Sequence, residues 1–117
     1  MSIEMVLLMS ALFALLFLGL DAGLYYHARS VAIAAAQEGA REAGSEYGSQ
    51  ASGVAAAQRF LIQAGGPGVI VDTHVVGSRS ATTAHVTVRG VSMSVLPGVH
   101  LRVNQSASVP VERLTTP

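Results

Sequence analysis

The sequence contains no cysteine and no lysine, and charged residues make up only 12% of its 117 residues. The absence of cysteine excludes disulfide bonds and thiolate metal sites. All seven cations are therefore arginines, and the chain carries seven carboxylates against them. Residues 1–66 hold three arginines and five carboxylates, a net charge of −2, whereas residues 67–117 hold four and two, a net charge of +2. Neither half is basic enough to indicate a nucleic-acid-binding protein.

What the chain does have is one long apolar run near its start. From Ile3 to Leu20 the only charged residue is Glu4, and Asp21 ends the run. As a helix this stretch would measure about 27 Å, close to the roughly 30 Å hydrocarbon core of a bilayer. A cleaved signal peptide would begin with positive charge, and a wholly apolar core helix would need more protein around it. We therefore predict a membrane-spanning helix over residues 1–22.

Glu4 is unusual in such a helix. A charged side chain in a membrane-bound segment costs roughly 2.5–3.5 kcal/mol on insertion scales, so it is usually there for a purpose. The closest arginine in the sequence is Arg29, about 37 Å away along a continuous helix. A partner for this carboxylate is therefore expected from another chain.

Residues 23–66 predict an amphipathic stem that continues this helix, a break near residues 44–49 and a second, shorter helix. Small residues recur at helical spacing along the stem and would allow close approach of another backbone. These residues are Ala28, Ala32, Ala35, Gly39 and Ala43. Two interpretations fit them, and both can hold at different heights along the helix: the stripe covers the chain's own sheet, or it packs against copies or relatives of the chain. On the polar side, Glu38 and Arg41 are spaced to pair across one turn.

The second helix is expected over about residues 50–64. Ser49 is its candidate N-cap, and the Gly-Gly-Pro sequence at residues 65–67 should stop it.

Residues 67–117 predict a small antiparallel sheet, because apolar residues recur there at every second position. The expected strands lie at residues 69–76, 84–89 and 101–109. A hairpin turn is expected at residues 77–80 and a longer loop at residues 92–98, and Pro110 suits a strand end or an edge. The predicted fold class is therefore α+β: a long N-terminal helix, a second shorter helix and a three-stranded antiparallel sheet.

Residues that could carry catalysis or bind a metal are few. His74 and His85 could face each other across a hairpin, but exposed strand positions are the simpler interpretation of this pair. No serine lies in a G-x-S-x-G motif. The glycine-rich residues 65–68 follow a helix, whereas a phosphate-binding loop precedes one. We expect no enzyme activity, no metal and no cofactor.

The stretch SIEMVLLMSALFALLFLGLDAGLYYHARSVAIAAAQEGAREAG resembles the TadE-like family of pilin-like proteins of Tad (Flp) pilus systems. The shared features are a glutamate before a long apolar run, a small–acidic–small turn at residues 19–23 and an Ala-rich stem ending at residues 36–41. The resemblance is strong over residues 2–43 and weaker over residues 67–113. It implies a type IV pilin-like fold.

The resemblance also implies a role for Glu4, the only functional residue that carries over. In pilin-like subunits the corresponding carboxylate neutralises the free N-terminal ammonium of a neighbour. This is physically reasonable, since an unpaired charge in an apolar bundle is costly. In those subunits the glutamate is fifth in the chain after a leader is removed, whereas here it is fourth. We therefore expect the sequence to begin near the mature end, with one residue lost or replaced around Met1.

We accordingly expect a minor pilin or pseudopilin with a structural role in assembling or priming a Tad-type pilus. It would lie in the plasma membrane as a single-pass protein with an extracytoplasmic C-terminal region, or be extracellular within a pilus. The expected partners are other pilin-like subunits, the assembly platform and a prepilin peptidase. The alternative is a non-polymerising single-pass membrane protein with an extracytoplasmic binding domain. A secreted enzyme, the third hypothesis, has no catalytic constellation to support it.

Overall fold

The computed structural model describes residues 2–65 and 68–112. Its elements in chain order are α1 (Ile3–Gly44), α2 (Gln50–Phe60), one turn of π-helix (Leu61–Gly65), β1 (Ile70–Arg79), β2 (Thr83–Ser92) and β3 (Leu101–Pro110). The strands form one antiparallel sheet in the order β1-β2-β3, with β2 in the centre. The predicted α+β class, with a long helix, a shorter helix and a three-stranded antiparallel sheet, is confirmed.

The long helix α1 determines the shape of the molecule, which measures 82 × 22 × 19 Å. Its 42 residues contain no proline, so nothing interrupts the backbone hydrogen bonds. Ser2 is its N-cap, and the Ser2 hydroxyl accepts a hydrogen bond from the Met5 N–H at 3.4 Å. The first half, through Leu20, is exposed, and only the second half packs against the rest of the chain.

The shorter helix α2 begins as predicted. The Ser49 hydroxyl accepts from the Ser52 N–H at 3.0 Å, and the Ser52 hydroxyl accepts from the Ser49 N–H at 2.8 Å. This reciprocal capping satisfies backbone donors at the helix start. The α-helix ends at Phe60, earlier than predicted, and the π-helical turn occupies the remaining residues. Residues 66 and 67 of the predicted helix stop lie outside the described residues.

The turn between β1 and β2 is at residues 80–82, so the prediction of residues 77–80 was wrong. β1 continues through Arg79, and the Ser80 N–H donates to the Thr83 carbonyl at 2.8 Å to close the turn. The Ser80 hydroxyl also accepts from the Thr83 N–H at 3.0 Å. Gly77 is a packing position, because a Cβ there would lie 3.0 Å from Val54 Cγ2 of α2. The prediction assigned Gly77 to a turn, whereas this glycine allows β1 to lie close to α2.

The core lies between α1, α2 and one face of the sheet. Alternate residues of β2 point into it, because successive side chains of a strand point to opposite faces. The largest fully buried side chains are Val86, Val88 and Val103. The helix side is built mostly from alanine, so the helix backbone lies close to the sheet. Pro110 ends the edge strand β3, as predicted.

Candidate functional site

Glu4 lies in the first turn of α1, at the end of the molecule farthest from the sheet. A carboxylate is favoured there, because the N-terminus of a helix carries partial positive charge. Among the described residues the one ion pair joins Arg41 Nη1 to Glu38 Oε2 at 3.0 Å, which confirms the predicted pair. The part of the chain described by the structure therefore supplies no cation for Glu4. The assembly role of Glu4 stays a prediction.

The apolar run from Ile3 to Leu20 exposes its large apolar side chains on every side of the helix. They are Ile3, Met5, Val6, Leu7, Leu8, Met9, Leu12, Phe13, Leu15, Leu16, Phe17, Leu18 and Leu20. The most apolar 18-residue window of α1 has a mean hydropathy of 2.4, and none of that window is buried. A helix exposed in this way on all sides is expected in lipid, not in water. The chain therefore fits a single-pass membrane protein.

The five small stem residues predicted as a packing stripe lie inside the chain's own core. Ala28, Ala32, Ala35 and Ala43 are completely buried, and Gly39 is buried as well. Their neighbours include α2 and the inner face of the sheet. The structure thus corresponds to the first interpretation of the stripe, in which it covers the chain's own sheet.

Gly39 lies at a close contact between the two helices. A Cβ at Gly39 would lie 2.8 Å from the Gly53 carbonyl oxygen, 2.9 Å from Ala57 Cβ and 3.1 Å from Val86 Cγ1. A Cβ at Gly53 would in turn lie 2.5 Å from Ala43 Cβ. Small residues on both helices therefore determine how closely α1 and α2 pack.

Asp21 is the most informative residue that the sequence reasoning did not assign. It follows directly after the apolar run, yet its side chain is only 5% exposed. Its Oδ2 accepts from the Ser94 hydroxyl and its Oδ1 accepts from the Val95 N–H, both at 2.8 Å. Asp21 thus holds the loop between β2 and β3 against the helix where the apolar run ends. The available signal was an isolated carboxylate at the end of an apolar run, with Gly19, Ala22 and Gly23 close to it in sequence.

Arg79 was also missed, because the sequence placed it in a turn. Its guanidinium Nη1 donates to the carbonyl oxygens of Ala43 at 2.9 Å, Ser45 at 3.0 Å and Gly48. The last carbonyls of a helix have no partners within the helix and carry partial negative charge. Arg79 therefore caps the C-terminus of α1 and joins it to the end of β1.

His74 and His85 do not face each other across the hairpin, so the metal-site alternative for this pair is not supported. His74 pairs with Arg89, whereas His85 pairs with Ser78. The His85 Nδ1 lies 2.6 Å from the Ser108 hydroxyl of β3. Among residues 2–65 and 68–112, no group of three or more His, Asp or Glu side chains is placed to hold a metal ion.

The outer face of the sheet carries a shallow open cavity of about 360 Å³. Asp72, His74, Arg89 and Arg102 contribute its charged and titratable side chains. Asp72 lies at a β-bulge with a φ of 52°. The lining contains no serine, threonine or lysine that could act as a nucleophile.

Comparison with known proteins identifies the N-terminal segment. Residues 1–41 match the model of the family described as TadE-like protein. This confirms the resemblance drawn from the sequence, over about a third of the chain. The family is structural and pilus-associated, and the match indicates a protein associated with a Tad pilus system. No curated protein and no solved structure matches the chain.

Proposed function

We propose that the protein is a minor pilin or pseudopilin with a structural role in the assembly or priming of a Tad (Flp)-type pilus. One observation carries the proposal: Glu4 lies at the tip of an exposed apolar helix, and the described part of the chain supplies no cation for it. The family match at residues 1–41 covers the same segment and supports the proposal independently.

The physical argument concerns what happens to Glu4 in an assembly. In an apolar helix bundle an unpaired carboxylate is costly, and a neighbouring ammonium group reduces that cost. The N-terminus of an adjacent subunit would lie at the same depth in the membrane or filament. Glu4 would then provide charge neutralisation and fix the axial position of one subunit relative to the next.

The proposed arrangement places residues 3–20 across the plasma membrane and the domain containing the sheet on the extracytoplasmic side. Within a pilus the domain would be extracellular. Its partners would be other pilin-like subunits and the assembly platform, and a prepilin peptidase would process its N-terminus. The part that contacts neighbours would be the exposed run, because the five small stem residues are buried within the chain.

The test is the substitution Glu4→Ala in cells that carry the complete pilus system. The protein should still fractionate with the membrane, because removing a charge makes the run more apolar. Pilus number should fall sharply, because the neighbouring N-terminus loses its counter-ion. Pilus number should also fall in the Glu4→Gln strain, since the amide keeps the shape of the side chain but not its charge.

Glu42→Ala is the matched control. It removes a carboxylate from the exposed surface of the same helix, far outside the apolar run, and should leave piliation normal. Normal pilus number in the Glu4→Ala strain would overturn the proposed role and favour a non-polymerising membrane protein. Mass spectrometry of the native N-terminus adds a second measurement, because a processed end just upstream of Ser2 is expected.

A further inference from the structure

The loop of residues 93–100, which joins β2 to β3, lies where the apolar run of α1 ends. Its position is fixed by the two 2.8 Å hydrogen bonds from Ser94 and Val95 to the Asp21 carboxylate. Asp21 is the residue directly after Leu20, the last residue of the run. If α1 spans a bilayer, this loop must therefore lie at the height of the bilayer surface.

The loop is braced internally and does not depend on a partner for its shape. The Leu96 N–H donates to the Ser94 hydroxyl at 3.1 Å. The Val99 N–H donates to the Leu96 carbonyl at 3.4 Å across a turn formed by Pro97 and Gly98. Gly98 has a φ of 78°, as the third residue of a type II turn requires. The exposed side chains near Asp21 are thus held in place.

The loop has the uncharged, largely apolar composition expected of a segment at the bilayer surface. Its eight residues, MSVLPGVH, include no Asp, Glu, Lys or Arg. The Val95 side chain is 46% exposed and that of Met93 is 43% exposed, although both lie beside a folded core. The domain thus exposes apolar side chains in the loop that is hydrogen-bonded to the residue following the run. Tyr26, which is 64% exposed, lies about 8 Å farther along α1, and tyrosine is enriched at membrane interfaces.

We propose that residues 93–100 form a second membrane contact, with Val95 and Met93 entering the interface of the same bilayer that α1 spans. The occupant of this surface is lipid, because the loop is hydrogen-bonded to Asp21, directly after the lipid-facing run, and contains no Asp, Glu, Lys or Arg. Two contacts, a helix and a loop, then fix the tilt of the sheet relative to the membrane. This inference rests on α1 spanning a membrane and does not require that the protein join a pilus.

The absence of cysteine makes the test direct, since a single introduced cysteine is the only labelling site. A nitroxide label is attached to Val95→Cys in the full chain, reconstituted at high dilution in phosphatidylcholine vesicles. Leu16→Cys marks the bilayer interior. Tyr47→Cys marks water, because Tyr47 is 92% exposed and lies beyond the far end of α1, about 35 Å from Asp21 along the helix. The measurement is the ratio of label relaxation by oxygen to relaxation by a water-soluble nickel complex.

The ratio at Val95 should lie between the Leu16 and Tyr47 values, and Met93→Cys should show the same shift. A ratio at Val95 equal to the Tyr47 value would overturn the inference. Shielding from both reagents that disappears on further dilution would also overturn it, because a second copy of the chain would then be the occupant. Val95→Trp provides a label-free check, because its fluorescence should be quenched by brominated lipid more strongly than that of Tyr47→Trp. The Glu4→Ala piliation test is independent of every one of these outcomes.

Discussion

Replacing Gly39 by alanine should destabilise the folded domain, whereas the same replacement at Gly23 should not. Both glycines lie in α1, so the change in local helix propensity has the same sign at the two positions. At Gly39 the added methyl group would meet atoms of Gly53, Ala57 and Val86, the first two closer than 3.0 Å. At Gly23 no atom lies within 4 Å of the added Cβ. The pair therefore separates packing from propensity.

The magnitude follows from two opposing effects. Glycine to alanine in a helix interior gains about 0.8–1 kcal/mol from propensity. Overpacking a filled core costs typically 1–3 kcal/mol. The cost at Gly39 should be near the upper end, because the Gly53 carbonyl and the Ala57 methyl group have no rotamer by which to move aside. We expect a net loss of about 1–2 kcal/mol for Gly39→Ala and a gain of up to about 1 kcal/mol for Gly23→Ala.

Hydrogen exchange of the β2 backbone amides, measured in detergent micelles on the full chain, reports this free energy. The central strand opens only when the sheet separates from α1, so its protection follows the stability of the domain. A loss of 1.4 kcal/mol would appear as roughly tenfold faster exchange, if opening and closing are fast. Equal protection in the two variants would refute the close helix–helix contact at Gly39.

Two further substitutions test the contacts that connect distant parts of the chain. Arg79→Met removes the cap on the last carbonyls of α1 and should lower the stability of this helix end by about 1.5–3 kcal/mol, the range for hydrogen bonds to a charged group. Backbone amide exchange should therefore become faster across residues 44–48. Unchanged exchange there would contradict the capping role. Asp21→Ala removes both hydrogen bonds to the loop and should lower the free energy of opening of residues 93–100 by about 2–4 kcal/mol. Asp21→Asn keeps one acceptor oxygen and should lower it less. Equal exchange rates of the Val95 amide in the two Asp21 variants would contradict the hydrogen bonds from the loop to Asp21.

The elements of this fold were largely predictable because their signals are local. The apolar run, the Ala-rich stem and the alternating strands each repeat over a few residues, and Ser49 caps α2 from the adjacent position. The Glu38–Arg41 pair was predictable for the same reason. Each of these predictions needed only neighbours along the chain.

The contacts that hold the fold together were not predictable from such signals. Asp21 bonds to a residue 74 positions away, and Arg79 bonds to carbonyls up to 36 positions away. In the sequence Gly77 is typical of a turn, and its packing against α2 is visible only in the folded chain. His74 and His85 do not face each other because β1 ends at Arg79, three residues later than predicted, which moves the hairpin turn and the register.

The burial of the small stem residues sharpens the argument about Glu4. If the stem packs against the chain's own sheet, neighbouring subunits must meet mainly through residues 3–20. That surface is apolar on every side of the helix and offers no preferred face or height, because one leucine-rich turn packs much like the next. A polar group at a single position of an apolar helix interface can specify register, at some cost in stability. Glu4 is the one charged residue between Ile3 and Leu20, so under the proposed role it would specify the axial position that the apolar contacts leave undetermined.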